Sequence, residues 1–370
     1  MKVVAAKPFF TEEDIEGIAK DIKQCLRDGT LTFGPKVREF EESFARYIGV
    51  KHAIAVNSGT SSLEIPLKFF DVKDKEVIVP TNSFVASANT VIFAGGRPVI
   101  ADIKRETLDL DPQDALKKIT AKTKGIMVVH LAGLIPPEMD EIKKICKDKG
   151  LFLIEDAAQA QGATFNGHKA GGLADAGSFS FFPTKVMTTG EGGMITTNSD
   201  ELDEFARSMR HHGRVGVLHS RLGYNWRMSD LNAIVGIYQL KRLEEFVKER
   251  NRLAARYAAG LKRIKGIRPI PVPPNIRHCY YKYPVLLEGA MAARTLEKIL
   301  QEKYEISTAT LYQPPIHLQP LYREMFGYQE GDLPVSEEVL SKHELCLPMF
   351  VGLTDEQVDY VLDALEKEYK

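Results

Sequence analysis

Between residues 53 and 197 the chain alternates short apolar runs with stretches of helical periodicity. The runs occupy 53–56, 76–80, 98–102, 125–130, 151–155, 178–182 and 193–197. A strand covered by helices on both faces reads as a continuous apolar run rather than an alternating one, and strands separated by helices feed a parallel sheet. The expected fold class is therefore α/β, with a mostly parallel seven-stranded sheet covered by helices. Ligands of such sheets sit beyond the carboxyl ends of the strands. Thr60, Phe84 and Asp156 fall at or just past run ends, and Lys185 lies in the loop after one.

The flanking segments are helical. Thr11 is placed to cap a helix in which Ile15, Ile18 and Ile22 recur at helical spacing. The amphipathic stretch 231–261 predicts one or two helices bridging to a second region. Beyond Gly266, Pro-rich segments at 267–274 and 313–315 separate the strand and helix patterns of a smaller α+β domain. Thr354 and Gln357 form a capping-box pattern ahead of Val358, Val361, Leu362 and Leu365. The expected division is a large domain over 1–240 and a small C-terminal domain over 241–370.

Composition narrows the function classes. At 370 residues the chain exceeds one ordinary core, and 44% hydrophobic with 27% charged residues is ordinary for a globular protein. A net charge of −1 without basic runs gives no reason to expect nucleic acid or an anionic membrane as partner. Cys25, Cys146, Cys279 and Cys346 are scattered and form no ligand cluster with His, so no metal is expected and the thiols read as reduced. No apolar run reaches the ~18 residues of a membrane span, and a cytoplasmic location is the default. Gly190-Glu-Gly-Gly193 is not a dinucleotide fingerprint.

Two segments carry chemistry. Lys185 follows an apolar run, precedes a Gly-rich turn, and has Ser178, Ser180, Thr184, Thr188 and Thr189 around it. Asp156 ends the run that begins at Leu151. A lysine near hydroxyls suits a Schiff base to pyridoxal phosphate (PLP), and a carboxylate at a strand end suits the pyridinium nitrogen, which must stay protonated for the ring to draw electrons. Either residue alone is compatible with a solvated lysine or a helix-cap acid; together they point to PLP. Asn57-Ser-Gly-Thr60 turns from a strand into a helical pattern, and a helix N-terminus offers free N–H groups to a phosphate.

These segments, with Gly29-Thr-Leu-Thr-Phe-Gly-Pro35, Phe40-Glu41, Gly223-Tyr-Asn-Trp-Arg-Met-Ser229, Pro348-Met349 and Leu353-Thr-Asp355, run in order along nearly the whole chain. The chain resembles the DegT/DnrJ/StrS family of sugar aminotransferases. The resemblance implies the PLP-dependent transferase fold type I. It implies that Lys185 and Asp156 are catalytic, that Gly59, Thr60 and Ser180 hold the phosphate, that Phe84 stacks on the ring, and that Gln159 contacts the phenolic oxygen. Asn225 would reach the phosphate in the neighbouring subunit, making a homodimer with shared active sites. Arg227, Tyr312 and His317 would face the substrate. Gln161 stands where many relatives carry His, which leaves a role at 161 in doubt. Some relatives replace the lysine with His and catalyse dehydration; the presence of Lys185 disfavours that branch. The implied reaction moves an amino group from an amino acid such as glutamate to a nucleotide-linked keto-sugar. The alternatives are amination of a non-nucleotide keto-cyclitol, or a PLP-bound regulatory protein without turnover.

Overall fold

A computed structural model describes residues 1–369. All seven apolar runs enter one sheet, formed by β1 (His52–Val56), β2 (Glu76–Pro80), β3 (Arg97–Ala101), β4 (Thr123–Val129), β5 (Phe152–Asp156), β6 (Ala176–Ser180) and β7 (Gly193–Thr197), in the spatial order β1-β7-β6-β5-β4-β2-β3. The pairs β2–β3, β2–β4, β4–β5 and β5–β6 are parallel. Only β7 runs against both of its neighbours, β1 and β6. The connection that reverses the chain before β7 is the loop carrying Lys185.

The central strands are buried on both faces, and β5 is buried at every position, Glu155 and Asp156 included. Successive residues serve opposite layers. Val77 and Val79 join Leu63, Leu67 and Val91 under the helices Gly59–Phe69 and Ala86–Phe93. Ile78 joins Phe40, Phe44, Phe179 and Phe181 beneath the helix Pro35–Ile48 and the long helix Asp230–Leu261.

The predicted caps are present. Thr11 Oγ1 accepts from the Asp14 amide, and Thr354 with Gln357 forms a reciprocal capping box. The stretch after Ser229 is one unbroken 32-residue helix. Its first half packs through Ala233, Ile237, Leu243 and Val247 on the large sheet. Its second half packs through Leu253, Tyr257 and Leu261 against a separate cluster built on the three-stranded sheet of Ile267–Pro269, Tyr283–Leu287 and Glu344–Leu347. The hydrophobic layers thus change inside the helix, between Val247 and Leu253. Two segments cross that line. Val3 packs with the C-terminal cluster, and Ile316, Tyr322 and Leu333 return to the large sheet. Among the described residues no helix is long and apolar enough to cross a membrane, no His/Cys/Asp/Glu group is suited to a metal, and the four cysteines are buried and unpaired.

Candidate active site

The cleft lies where the carboxyl ends of β1, β2, β4, β5 and β6 meet. At its floor, Asp156 is 6% exposed. Its Oδ2 accepts a 2.7 Å hydrogen bond from Ser87 Oγ, and Oδ1 accepts one of 3.2 Å from the Ala158 amide. Ser87 sits one helical turn from Ser83, whose hydroxyl lies 2.6 Å away. Burial pushes the Asp156 carboxyl above its usual value. The Ser87 bond, the Ala158 amide and the positive charges of Lys185 and His130 all oppose that rise. A cation placed against this carboxylate, such as a protonated pyridine nitrogen, would favour its ionised form further.

Lys185 projects from the β6–β7 loop, and its Nζ lies 4.7 Å from the centroid of the Tyr281 ring. Gln159, three residues past Asp156, is fixed at both ends. Its Oε1 accepts from the Ala132 amide at 2.8 Å, and its Nε2 donates to Tyr312 Oη at 2.8 Å. Ala132 and Tyr312 both have positive φ, 55° and 52°. Such strain in non-Gly residues persists where the surroundings over-determine the backbone. The Tyr312 ring stands 6.0 Å from that of Phe84, which is 57% exposed and presents its ring to the cleft side of the loop after β2.

The other wall is a cradle formed by a helix N-terminus against the end of β6. The helix Gly59–Phe69 is capped by Ser58, whose hydroxyl accepts from the Ser61 amide. The amides of Gly59 and Thr60, in its first turn, have no intrahelical carbonyl to bond and face outward with the positive end of the helix dipole. Gly59 lies so close to β6 that a Cβ there would be 2.7 Å from Ser180 Cβ. Ser180 is held from behind by Gln161, whose Nε2 donates to its carbonyl at 2.6 Å. The residue at 161 therefore braces the cradle.

Asn225 and Arg227 lie off the end of β1. Arg227 forms an isolated bridge with Val56, and the Asn57 amide donates to the Trp226 carbonyl at 2.9 Å. Asn225 is exposed. The Arg227 guanidinium lies 5.2 Å over the Phe33 ring with Nη1 3.0 Å from His211 Nδ1, and among the described residues no carboxylate neutralises it. Burial and the Arg227 charge hold His211 below the usual imidazole value. His317 departs from expectation. It is fully buried, with Nδ1 2.7 Å from Thr81 Oγ1 and Nε2 3.0 Å from Glu337 Oε1. Both ring nitrogens are engaged by the chain itself, so His317 fastens its loop to the end of β2 and leaves no ring nitrogen for a substrate.

Two participants escaped the sequence reading. Ser87 had a signal, the Ser83/Ser87 spacing of one helical turn beside the predicted aromatic. Tyr281 had none, because its partner Thr184 is 97 positions away in sequence.

The model of the DegT/DnrJ/EryC1/StrS aminotransferase family matches residues 12–366. The chain belongs to this family. The aminotransferase is 38% identical to GDP-perosamine synthase of Caulobacter vibrioides over 95% of its own length and 96% of that protein's. Among solved structures it superposes on S. venezuelae DesV with a TM-score of 0.91 at 32% identity, covering 98% of each chain. It superposes on the PLP form of a sugar aminotransferase assigned to Streptococcus pneumoniae, Spr1654, with a TM-score of 0.93 at 27% identity, covering 99% of this chain and 98% of that one. The fold is that of the PLP-dependent sugar aminotransferases, and PLP is the cofactor. The aminotransferase's residues fit that group. A phosphate would find the Gly59–Thr60 amides opposite Ser180, a ring nitrogen would find the buried Asp156 carboxylate, and a ring face would find Phe84.

Proposed function

We propose that this aminotransferase transfers an amino group from glutamate to a nucleotide-linked keto-sugar, with Lys185 joined to PLP between turnovers. The observation carrying this reading is the buried Asp156 carboxylate, held by Ser87 and the Ala158 amide at the carboxyl end of β5, on the side of the sheet where the Lys185 loop and the close approach of Gly59 to Ser180 also lie. The names of relatives such as GDP-perosamine synthase support the nucleotide sugar.

PLP supplies an electron sink for the carbon that loses its proton and carries the amino group between the two substrates. Lys185 Nζ, when free and neutral, would serve as the base that takes the amino acid's α-proton and as the acid that delivers it at the other end of the shift. Asp156 holds the ring nitrogen protonated. Ser87 and the Ala158 amide keep the carboxylate oriented, and burial strengthens the attraction by excluding water. The Gly59 and Thr60 amides with the Ser180 hydroxyl anchor the phosphate, and Phe84 covers one ring face. Gln159 and Tyr312, already bonded to each other, are set to meet the phenolic oxygen. Arg227, a cationic fork without a carboxylate partner among the described residues, suits a diphosphate.

The working unit is a homodimer in which Asn225 of each chain completes the other's phosphate site. Val217 and Leu222, exposed by 83% and 93% in the segment just before Asn225, are apolar side chains that a second copy would cover. The four unpaired thiols suit a cytoplasmic enzyme.

The test is borohydride reduction followed by peptide mapping, together with assays on nucleotide-linked and free cyclic ketones. The reduced adduct is expected on Lys185. Arg227→Ala should weaken nucleotide-sugar binding and leave the glutamate half-reaction near normal. Equal use of a free cyclitol ketone would transfer the assignment to that substrate class, and failure to turn over any ketone would favour a regulatory role.

A further inference from the structure

Tyr281 comes from a part of the chain remote from the sheet, yet it is bolted to the site from four directions. Its hydroxyl lies 3.1 Å from Thr184 Oγ1, next to the lysine. The flanking Lys282 and Cys279 amides donate to the Ala132 and Gly133 carbonyls, at 3.2 and 3.3 Å. Cys279 Sγ donates to the Gln159 carbonyl at 3.2 Å. Arg250, from the long helix, donates through Nη1 to the carbonyls of Tyr280 at 2.9 Å, Tyr281 at 3.5 Å and Met349 at 3.1 Å. Arg250 is 4% exposed, no salt bridge joins it to a carboxylate among the described residues, and its Nε has no hydrogen-bond partner. Burial pulls it down to about 10. A guanidinium buried on carbonyls alone is a costly way to fix a backbone. What it fixes is the ring beneath Lys185 Nζ.

We propose that Tyr281 is a positioning residue whose ring face receives Lys185 Nζ whenever that amine is not joined to the cofactor, keeping it within reach of the reacting carbon and holding it as the ammonium once it has taken the proton. An ammonium within about 6 Å of a ring centroid is attracted by the negative face of the ring, and the observed 4.7 Å meets that condition. Tyr281 also registers the cation. Burial pushes its phenol upward, but the Lys185 charge, the Lys282 charge and the Thr184 bond outweigh this and leave it below the usual value. Neighbouring Tyr312 lacks such a cation, and burial, Tyr281 and Asp156 drive its phenol far up. Of the two phenols at the cleft, only Tyr281 is tuned by the lysine. The inference rests on the proposed role of Lys185 and adds the residue that parks it.

The test replaces the ring without changing its shape. Tyr281→Phe, followed by mono-, di- and trifluorinated phenylalanines at 281, keeps the packing and progressively drains charge from the ring face; Tyr281→Leu removes the face. In cofactor-free protein, the rate at which an acylating reagent labels Lys185, read by mass spectrometry against other lysines, should climb with each fluorine. It should rise roughly 2- to 30-fold from Phe to Leu. The glutamate half-reaction should slow in the same order, with kcat falling and KM nearly constant. Labelling that ignores fluorination, or equal labelling in the Phe and Leu variants, would overturn the proposal and leave Tyr281 a packing residue. A reduced adduct on a lysine other than 185 would instead overturn the assignment of Lys185, whatever the labelling series shows.

Discussion

Gly59→Ala probes the cradle at its narrowest point. The added Cβ would lie 2.7 Å from Ser180 Cβ, 3.2 Å from its Oγ and 3.3 Å from its Cα. The obstruction is the root of a side chain on a sheet strand, not the flexible end of a long one, so the helix start must move away from β6. Overpacking of this kind costs about 1–3 kcal/mol. Without cofactor, part of that is offset by the roughly 0.5–1 kcal/mol that Ala gains over Gly in a helix. With cofactor, the widened cradle cannot bring the Gly59 and Thr60 amides and the Ser180 hydroxyl onto one phosphate. If the steric cost falls on the bound form, PLP affinity drops by about 5- to 150-fold. The assay is a PLP titration of cofactor-free protein, together with unfolding with and without PLP. At a PLP concentration of 100 times the wild-type Kd, the ligand stabilises the wild type by about 2.7 kcal/mol, and a tenfold weaker variant by about 1.4. Gly260→Ala is the control. Its Cβ would meet Leu362 Cδ1 at 2.2 Å, far from the cleft and against a movable side-chain end. It should lower stability and leave PLP affinity unchanged. A Gly59→Ala protein that binds PLP as tightly as wild type would refute the placement of the phosphate between this helix and Ser180.

Three further outcomes are expected. Asp156→Asn should keep the fold and bind PLP, because an amide oxygen still accepts from Ser87, but transamination should fall by orders of magnitude in single-turnover kinetics. Mixing inactive Asn225→Ala with inactive Lys185→Ala protein should restore up to about half of the wild-type activity per dimer, since a C2 hybrid contains one intact shared site; no recovery after demonstrated subunit exchange would confine Asn225 to its own chain. Burial raises Glu344, which accepts from the Leu311 amide, to about 7. Its folded value thus lies above its unfolded one, so its stabilising share is full below about pH 4 and is lost as pH rises through 7. Glu344→Gln should therefore flatten the stability difference between pH 5 and pH 8 in denaturant unfolding, by up to about 3 kcal/mol.

The sheet was legible in the sequence because burial on both faces leaves short, mostly apolar runs, and each of the seven runs overlaps a strand, although the one read at 178–182 begins two residues earlier and carries Ser178 and Ser180. The position of Asp156 was legible for a related reason, since an acid that ends such a run stands at a sheet's carboxyl edge, while Lys185, five residues beyond its strand, was legible only from the hydroxyls and the Gly-rich turn around it. The long helix was less legible. Its pattern was readable, but whether it broke was not, since continuity depends on two separate layers packing along its length. Least legible was everything that the chain beyond 270 brings back to the cleft. Tyr281 and Arg250 act through backbone carbonyls and a ring face, which leave no periodicity. His317 looked available beside its prolines until Thr81 and Glu337, from elsewhere in the chain, took its two nitrogens.

The reversed strand β7 has a consequence for how the enzyme is made. β1, which leads into the cradle, is an edge strand whose sole neighbour in the sheet is β7, and the two pair from His52 with Thr197 to Val56 with Gly193. Contacts across so much sequence form late, because a long loop must close before they are rewarded. A ribosome-bound chain that has not yet extruded residue 197 therefore has Asp156 already paired with the strand of Ser180, but has no strand on which to dock β1, the strand that leads into the cradle helix. A message truncated before that strand yields a fragment with most of the sheet, Asp156 and Lys185, but with β1 unpaired and the phosphate end of the site without its frame.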